Sequence, residues 1–116
     1  MRADQLKGHL DPLLMAVLEG GPAHGYGLIE ALRDRSGGVF DLGESTVYPA
    51  LHRLERSGLV KSESKTVAGR PRRVYRLTRS GRRALADQRV DWRAFSGAVG
   101  AVLGARSVAG PAVVPG

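Results

Sequence analysis

The sequence predicts a mainly α, α+β fold in which three helices and a β-hairpin form one unit and a long fourth helix is appended to it. Three observations lead there. Apolar residues recur at three- and four-residue spacings in four separate segments. Two short β-compatible runs sit between the third and fourth of these, around a turn-rich connection. Of the 18 Lys and Arg in the chain, eleven crowd into residues 45–83. A length of 116 residues with 42% hydrophobic content suffices for one core with appendages.

The first segment places Leu6, Leu10, Leu13, Leu14, Val17 and Leu18 on one helical face and stops at Gly20-Gly21-Pro22. Asp11-Pro12 inside it leaves open one kinked helix or two, since Asp is a good N-cap and Pro is tolerated at a helix start. A second helix is expected from about His24 to Arg35, burying Tyr26, Ile29 and Leu32 and ending at Ser36-Gly37-Gly38. The third should begin with Ser45 or Thr46 as N-cap and turn Val47, Ala50, Leu51 and Leu54 inward, with Pro49 in its first turn. Tyr48, His52, Arg53 and Arg56 then fall on its other faces.

Leu59 to Thr66 and Arg72 to Thr78, joined by Ala68-Gly69-Arg70-Pro71, read as a β-hairpin. Tyr75 and Leu77 alternate with Val74 and Arg76, so one face of its second strand packs inward while the other stays basic. A last helix runs from about Arg79 to Leu103. Leu85, Gln88, Trp92, Phe95, Val99 and Val102 fall on alternating three- and four-residue steps, a heptad seam. Its own chain offers that seam too little partner surface, which makes Leu85, Trp92, Phe95, Val99 and Val102 expected contacts of a homodimer, although Gly97 and Gly100 lower helix propensity there. The Gly/Ala/Val/Pro-rich segment 104–116 is expected to be a disordered tail.

The net charge is +7, and its distribution is more informative than its size. Residues 45–83 carry +9, with only Glu55 and Glu63 opposing eleven cations, whereas the rest of the chain sums to −2. A one-signed surface of this kind points to a polyanion, because each neutralised phosphate releases condensed counterions. A basic face kept only for solubility would be interspersed with acids.

Helix, helix, helix, basic hairpin is the order of a winged helix-turn-helix, with double-stranded DNA as the expected partner. The third helix is the natural reader: Ser45, Thr46 and Tyr48 offer hydroxyls near its N-terminus, and His52 follows one turn after Tyr48. Lys65, Arg70, Arg72 and Arg73 flank the hairpin tip, where contacts to phosphate or minor groove position a protein more than they choose a sequence. Arg53 and Arg56 read equally well as DNA contacts or as solvated helix residues paired with neighbouring acids.

In this order and spacing, five segments resemble the PadR-type transcriptional regulators across residues 6 to 103. They are Leu6-Lys7-Gly8 with the apolar helix after it, Gly21-Pro22-Ala23-His24-Gly25-Tyr26, Thr46-Val47-Tyr48-Pro49-Ala50-Leu51 with Arg53-Leu54-Glu55, Gly69-Arg70-Pro71-Arg72-Arg73 with Tyr75, and Leu77-Thr78 with Gly81. The resemblance implies a DNA-binding domain over 1–79, a C-terminal dimerisation helix over 80–103, and repression relieved by a small molecule or another signal. It also implies DNA contact by Tyr26, Thr46, Tyr48 and the wing arginines. Relatives often have Gly, Leu and Trp where this chain has Ser45, Val47 and Ser64. Trp92 matches an aromatic position that in some relatives lines a pocket for flat, hydrophobic ligands between subunits, which implies a pocket at Trp92 and Phe95; from the residues alone, Trp92 reads as interface core.

No enzyme is expected. His9, His24 and His52 lack metal-ligand spacing, Gly20 to Gly27 has neither a Walker lysine nor a GxGxxG pattern, and with no cysteine there is no thiolate chemistry, so no metal or cofactor is foreseen. The N-terminus offers no apolar stretch of signal-peptide length before Lys7, and the longest uncharged run, Ala94 to Ala105, is well short of the roughly 20 residues of a membrane span. A cytoplasmic protein is the default expectation. The competing function is a sequence-tolerant architectural DNA-binding protein, using the same basic wing without an effector.

Overall fold

A short approach leads into α1 (Leu10–Glu19), which starts later than the apolar pattern suggests: Leu6 is buried in the turn before it and its carbonyl accepts from the His9 amide. The structure, a computed structural model, describes Leu6 and residues 8–104, so the expected tail from 105 onward lies outside the described residues. Asp11 and Pro12 both sit in the first turn of a single α1. There the missing proline amide has no intrahelical partner to lose.

After Gly20 and Gly21 the chain runs through β1 (Ala23–His24) into α2 (Gly25–Arg35), whose N-cap His24 accepts from the Gly27 amide through Nδ1 at 3.1 Å. Tyr26, expected inward, is half exposed. The inward face is Gly25, Leu28, Ile29 and Leu32 instead. Ser36 closes α2, its hydroxyl donating to the Arg33 carbonyl and accepting from the Phe40 amide.

Helix α3 (Glu44–Arg56) buries Val47, Ala50, Leu51 and Leu54 as its periodicity predicts. Its start corrects the sequence reading: Gly43 is the N-cap, so Ser45 and Thr46 are already helical and Pro49 lies in the second turn. The ring is exposed, and what it removes is the amide that would have met the Ser45 carbonyl on the solvent side.

Strands β2 (Val60–Val67) and β3 (Arg70–Leu77) form the hairpin, and β1 adds to the far side of β3, giving the antiparallel order β1-β3-β2. The turn is shorter than the four residues expected. It is Ala68-Gly69 alone, with φ of 52° and 79°, while Arg70 and Pro71 pair with Val67 and Thr66 inside the ladder. Two positive φ values in a two-residue connection match the right-handed twist of the strands, an arrangement usually made by Asn-Gly.

Helix α4 (Arg79–Leu103) begins at Thr78, which ties three elements together. Its hydroxyl accepts from the Gly81 amide and donates to the Gly58 carbonyl, and its amide donates to the carbonyl of Leu59. Gly81 lies so close to the Leu59 carbonyl that any Cβ would overlap it. One turn on, Leu85 enters the common core with Leu14, Met15, Leu18, Leu28, Leu51, Val60 and Tyr75. Leu85 is thus 1% exposed in its own chain, with no surface left for the dimer seam on which it was expected.

Thr78→Val, which keeps the shape and removes the cap, is expected to cost about 1–2 kcal/mol in urea unfolding. Ala68→Asn should raise stability by about 0.5–1 kcal/mol in the same measurement, because Asn tolerates the left-handed conformation that strains Ala.

Candidate nucleic-acid interface

The face of α3 opposite its core residues carries Ser45, Pro49, His52 and Arg56, recurring at three- and four-residue spacings and all exposed. Of these, Ser45 and His52 were expected as DNA contacts. Pro49 and Arg56 share the strip with them, Arg56 having been left open by the sequence. Gly43 supplies no side-chain cap; its carbonyl accepts from the Thr46 and Val47 amides, and Glu44 is the acidic residue of the first turn.

The flanks of this strip differ. On one side Tyr48 lies against Gly25 so tightly that a Cβ at position 25 would run into its ring, which locks α2 to α3 and leaves Tyr48 half-buried. Tyr26 stands on the exposed side of α2, one residue after Gly25. On the other flank are Thr46 and Arg53. Arg53 donates to Asp11 of α1 at 2.8 Å, a tether that the sequence did not foresee because the partner is 42 residues away.

Behind α3 the hairpin is braced by a chain of polar contacts. Ser62 Oγ donates to Glu55 at 2.6 Å and accepts from Arg73 at 3.1 Å, and Tyr75 is buried beside them. Burial, and secondarily the negative charge of Glu55, pushes the Tyr75 hydroxyl above its ordinary range. Arg73 therefore serves partly to hold the wing on α3, whereas Arg70 and Arg72 make no ion pair among the described residues. Lys65 stands 3.7 Å from Glu63 on the same face of its own strand.

A cleft of about 670 Å³ separates α1 from α4, lined by Leu13, Ala16, Phe40, Leu85, Gln88 and Trp92 among others. Phe95 continues the wall, tilted on Trp92 with ring centroids 6.1 Å apart, and His9 meets Trp92 edge-on at 5.5 Å. Gln88 Oε1 is buried there without a hydrogen-bond partner among the described residues. Trp92 and Phe95 thus lie side by side on one wall of this cleft. They lie beside α1 of their own chain, and from here outward the helix leaves the body, with Val99, Val102 and Leu103 facing solvent.

Arg89 fixes α4 against α1 through two hydrogen bonds to Glu19, at 2.9 and 3.1 Å. The hydrogen bond from Arg89 holds the Glu19 carboxyl below its ordinary value, against an opposing push from desolvation, and Arg82 and Arg35 add smaller attractions. Among the described residues no group of three His, Cys, Asp or Glu is placed to hold a metal, and no helix is long and apolar enough to cross a membrane.

Three helices and a basic hairpin beside an exposed strip of α3 define a winged-helix fold of the DNA-binding type. Residues 14–87 match the PadR-like family of transcriptional regulators, and the chain belongs to that family. It is 45% identical over 84 residues to the transcriptional regulator Rv3488 of Mycobacterium tuberculosis, covering 72% of this chain and 73% of that protein. Among solved structures it is similar to a PadR family transcription regulator from Clostridium difficile, with 31% identity, a TM-score of 0.74, and coverage of 82% of this chain and 98% of that one. It is likewise similar to a PadR family regulator from Eggerthella lenta, with 33% identity, a TM-score of 0.71, and 86% of each chain covered. Family and relatives are transcriptional regulators, not enzymes, and membership implies DNA binding.

Because Glu19 has a depressed pKa in the folded state, its pair with Arg89 should stabilise the fold above the ordinary value of 4.5 and lose that effect as pH falls through the lower, folded-state value. Urea unfolding of wild type and Glu19→Gln should accordingly differ near neutral pH and converge in acid.

Proposed function

We propose that the protein is a sequence-specific DNA-binding regulator, acting as a homodimer on a pseudo-palindromic operator as a repressor that a small planar hydrophobic effector releases. The observation that carries the DNA-binding part is the outward strip of α3, open to solvent beside a hairpin rich in unpaired cations. In this reading Ser45, Thr46, Tyr48 and His52 face base edges or groove walls, and Tyr26 anchors a phosphate. Lys65, Arg70, Arg72 and Arg73 hold the backbone. Arg53 contributes through Asp11, by keeping α3 in place on α1.

The dimer is supported by the outer half of α4. Trp92, Phe95, Val102 and Leu103 are each more than half exposed in the single chain, and Val99 lies on the same stripe. An apolar stripe of this length on a projecting helix is a protein interface. Its heptad spacing favours a second copy of the same helix. Residues 1–79 then form the reading head and 80–103 the dimerisation element, whose first turns also complete the head. The effector is supported by the α1–α4 cleft, whose Trp92 and Phe95 offer flat faces to a planar ligand.

Footprinting on DNA upstream of the protein's own gene should reveal two half-sites with centres about 10–10.5 base pairs apart, or a multiple of that. A monomer at micromolar concentration in sedimentation would refute the dimeric geometry. Comparable affinity for random duplex would favour a sequence-tolerant architectural protein instead. His52→Ala is expected to relax sequence preference, whereas Arg72→Ala should weaken specific and random duplex alike and lower the salt slope by about 1. Planar aromatic compounds should quench the fluorescence of Trp92, the only tryptophan.

A further inference from the structure

The ladder between β2 and β3 assigns each hairpin residue to a face. Val60↔Leu77 and Ser62↔Tyr75 turn toward the helices, where Val60, Leu77 and Tyr75 are buried. The alternate set, Lys61↔Arg76, Glu63↔Val74, Lys65↔Arg72 and Val67↔Arg70, therefore turns outward. Two of these rungs set a cation directly opposite a cation. Neither Lys61 nor Arg76 was expected to contact DNA on the sequence.

Like charges opposed across a rung destabilise a sheet, and this hairpin has two such rungs with a single acid between them. That acid, Glu63, pairs with Lys65. Lys61 and Arg76 are both exposed and form no ion pair among the described residues. Nothing in the packing of the hairpin requires charge at either position, because both side chains point away from the core.

We propose, resting on the DNA-binding reading above, that the whole outer face of the hairpin lies lengthwise on a phosphate backbone, with the Lys61–Arg76 rung at its root bound as directly as the Lys65–Arg72 rung near its tip. Opposed cations on one rung form a fork that the two free oxygens of a single phosphate can satisfy. The rungs are four residues apart, about 13 Å along the strands at 3.3 Å per residue. A small anion reaches one rung only. A duplex, with a phosphate about every 3.4 Å of axis on each strand, supplies both at once. The geometry thus selects an extended polyanion and distinguishes a wing lying flat from one that engages by its tip alone.

The test is a salt titration of a long duplex containing the operator, using the full-length protein with Lys61→Thr and Arg76→Thr combined, beside wild type and Arg72→Ala. Removing both root cations should make the slope of log K against log salt shallower by about 2, and should weaken specific and random duplex equally. The free double variant should be no less stable to urea than wild type, because its root rung no longer carries repulsion. The charge-preserving pair Lys61→Arg with Arg76→Lys should keep the wild-type slope. A double-variant slope equal to that of wild type, while Arg72→Ala lowers it, would overturn the flat-lying wing and leave the DNA-binding reading standing. A loss of stability in the free double variant would contradict the repulsion on which the proposal is built. Failure of wild type to bind any duplex would remove the DNA-binding reading itself.

Discussion

The arrangement of the whole chain depends on what happens at Thr78. One side chain and one amide there engage the Gly58 carbonyl, the Leu59 carbonyl and the Gly81 amide, so the exit of α3, the root of the hairpin and the start of α4 share a single joint. Gly81 makes the joint close enough to work, since any side chain would separate α4 from the Leu59 backbone. Leu85 then completes the core, and the Arg89–Glu19 pair fixes the azimuth of the helix on α1. Without this joint the hairpin would still be held by β1, by the buried Val60, Tyr75 and Leu77 and by the Ser62–Glu55 contact, but its root would no longer be tied to the start of α4.

The cations divide into those occupied inside the chain and those left open. Arg53 and Arg89 bind acids on α1, and Arg73 braces the hairpin through Ser62. Exposed pairs of this sort add little to stability, typically about 0–1 kcal/mol each, and their role is to fix orientation. The remaining charge of the hairpin faces outward. This separation gives the exposed strip of α3 a firm seat while leaving the outer face of the wing with excess positive charge, which suits a surface whose counter-ion is another macromolecule.

Much of this was legible in the sequence because periodicity and charge are strong, local signals. The core face of α3, the extent of α4 and the inward Tyr75 and Leu77 follow from spacing alone. What escaped depended on contacts between distant segments. Tyr26 looked apolar enough to bury, but the space over Gly25 belongs to Tyr48, a residue of another helix, and Leu28 takes the inward position. Strand β1 has two residues and no pattern of its own, and exists because Ala23 and His24 pair with Tyr75 and Val74. The tight turn was hidden because Ala68 occupies a site where Asn would have announced it. Pro49 suggested a later helix start, yet its exposed position lets the helix begin at Glu44 and absorb one missing hydrogen bond. Leu85 fits the heptad and the core equally well, and only the packing of α1 decides between them.

The firm seating of α4 turns its length into a ruler. At 25 residues it is about 37 Å long, and its first turns are packed into the core of the winged helix through Leu85. In a dimer joined through its outer half, the distance between the two heads is then set by which residues of one helix meet which of the other. A slip of one heptad would displace a head by about 10.5 Å, or roughly three base-pair steps. On the proposed dimer, operator spacing follows from the register of Trp92, Phe95 and Val99 rather than from the residues proposed to meet bases.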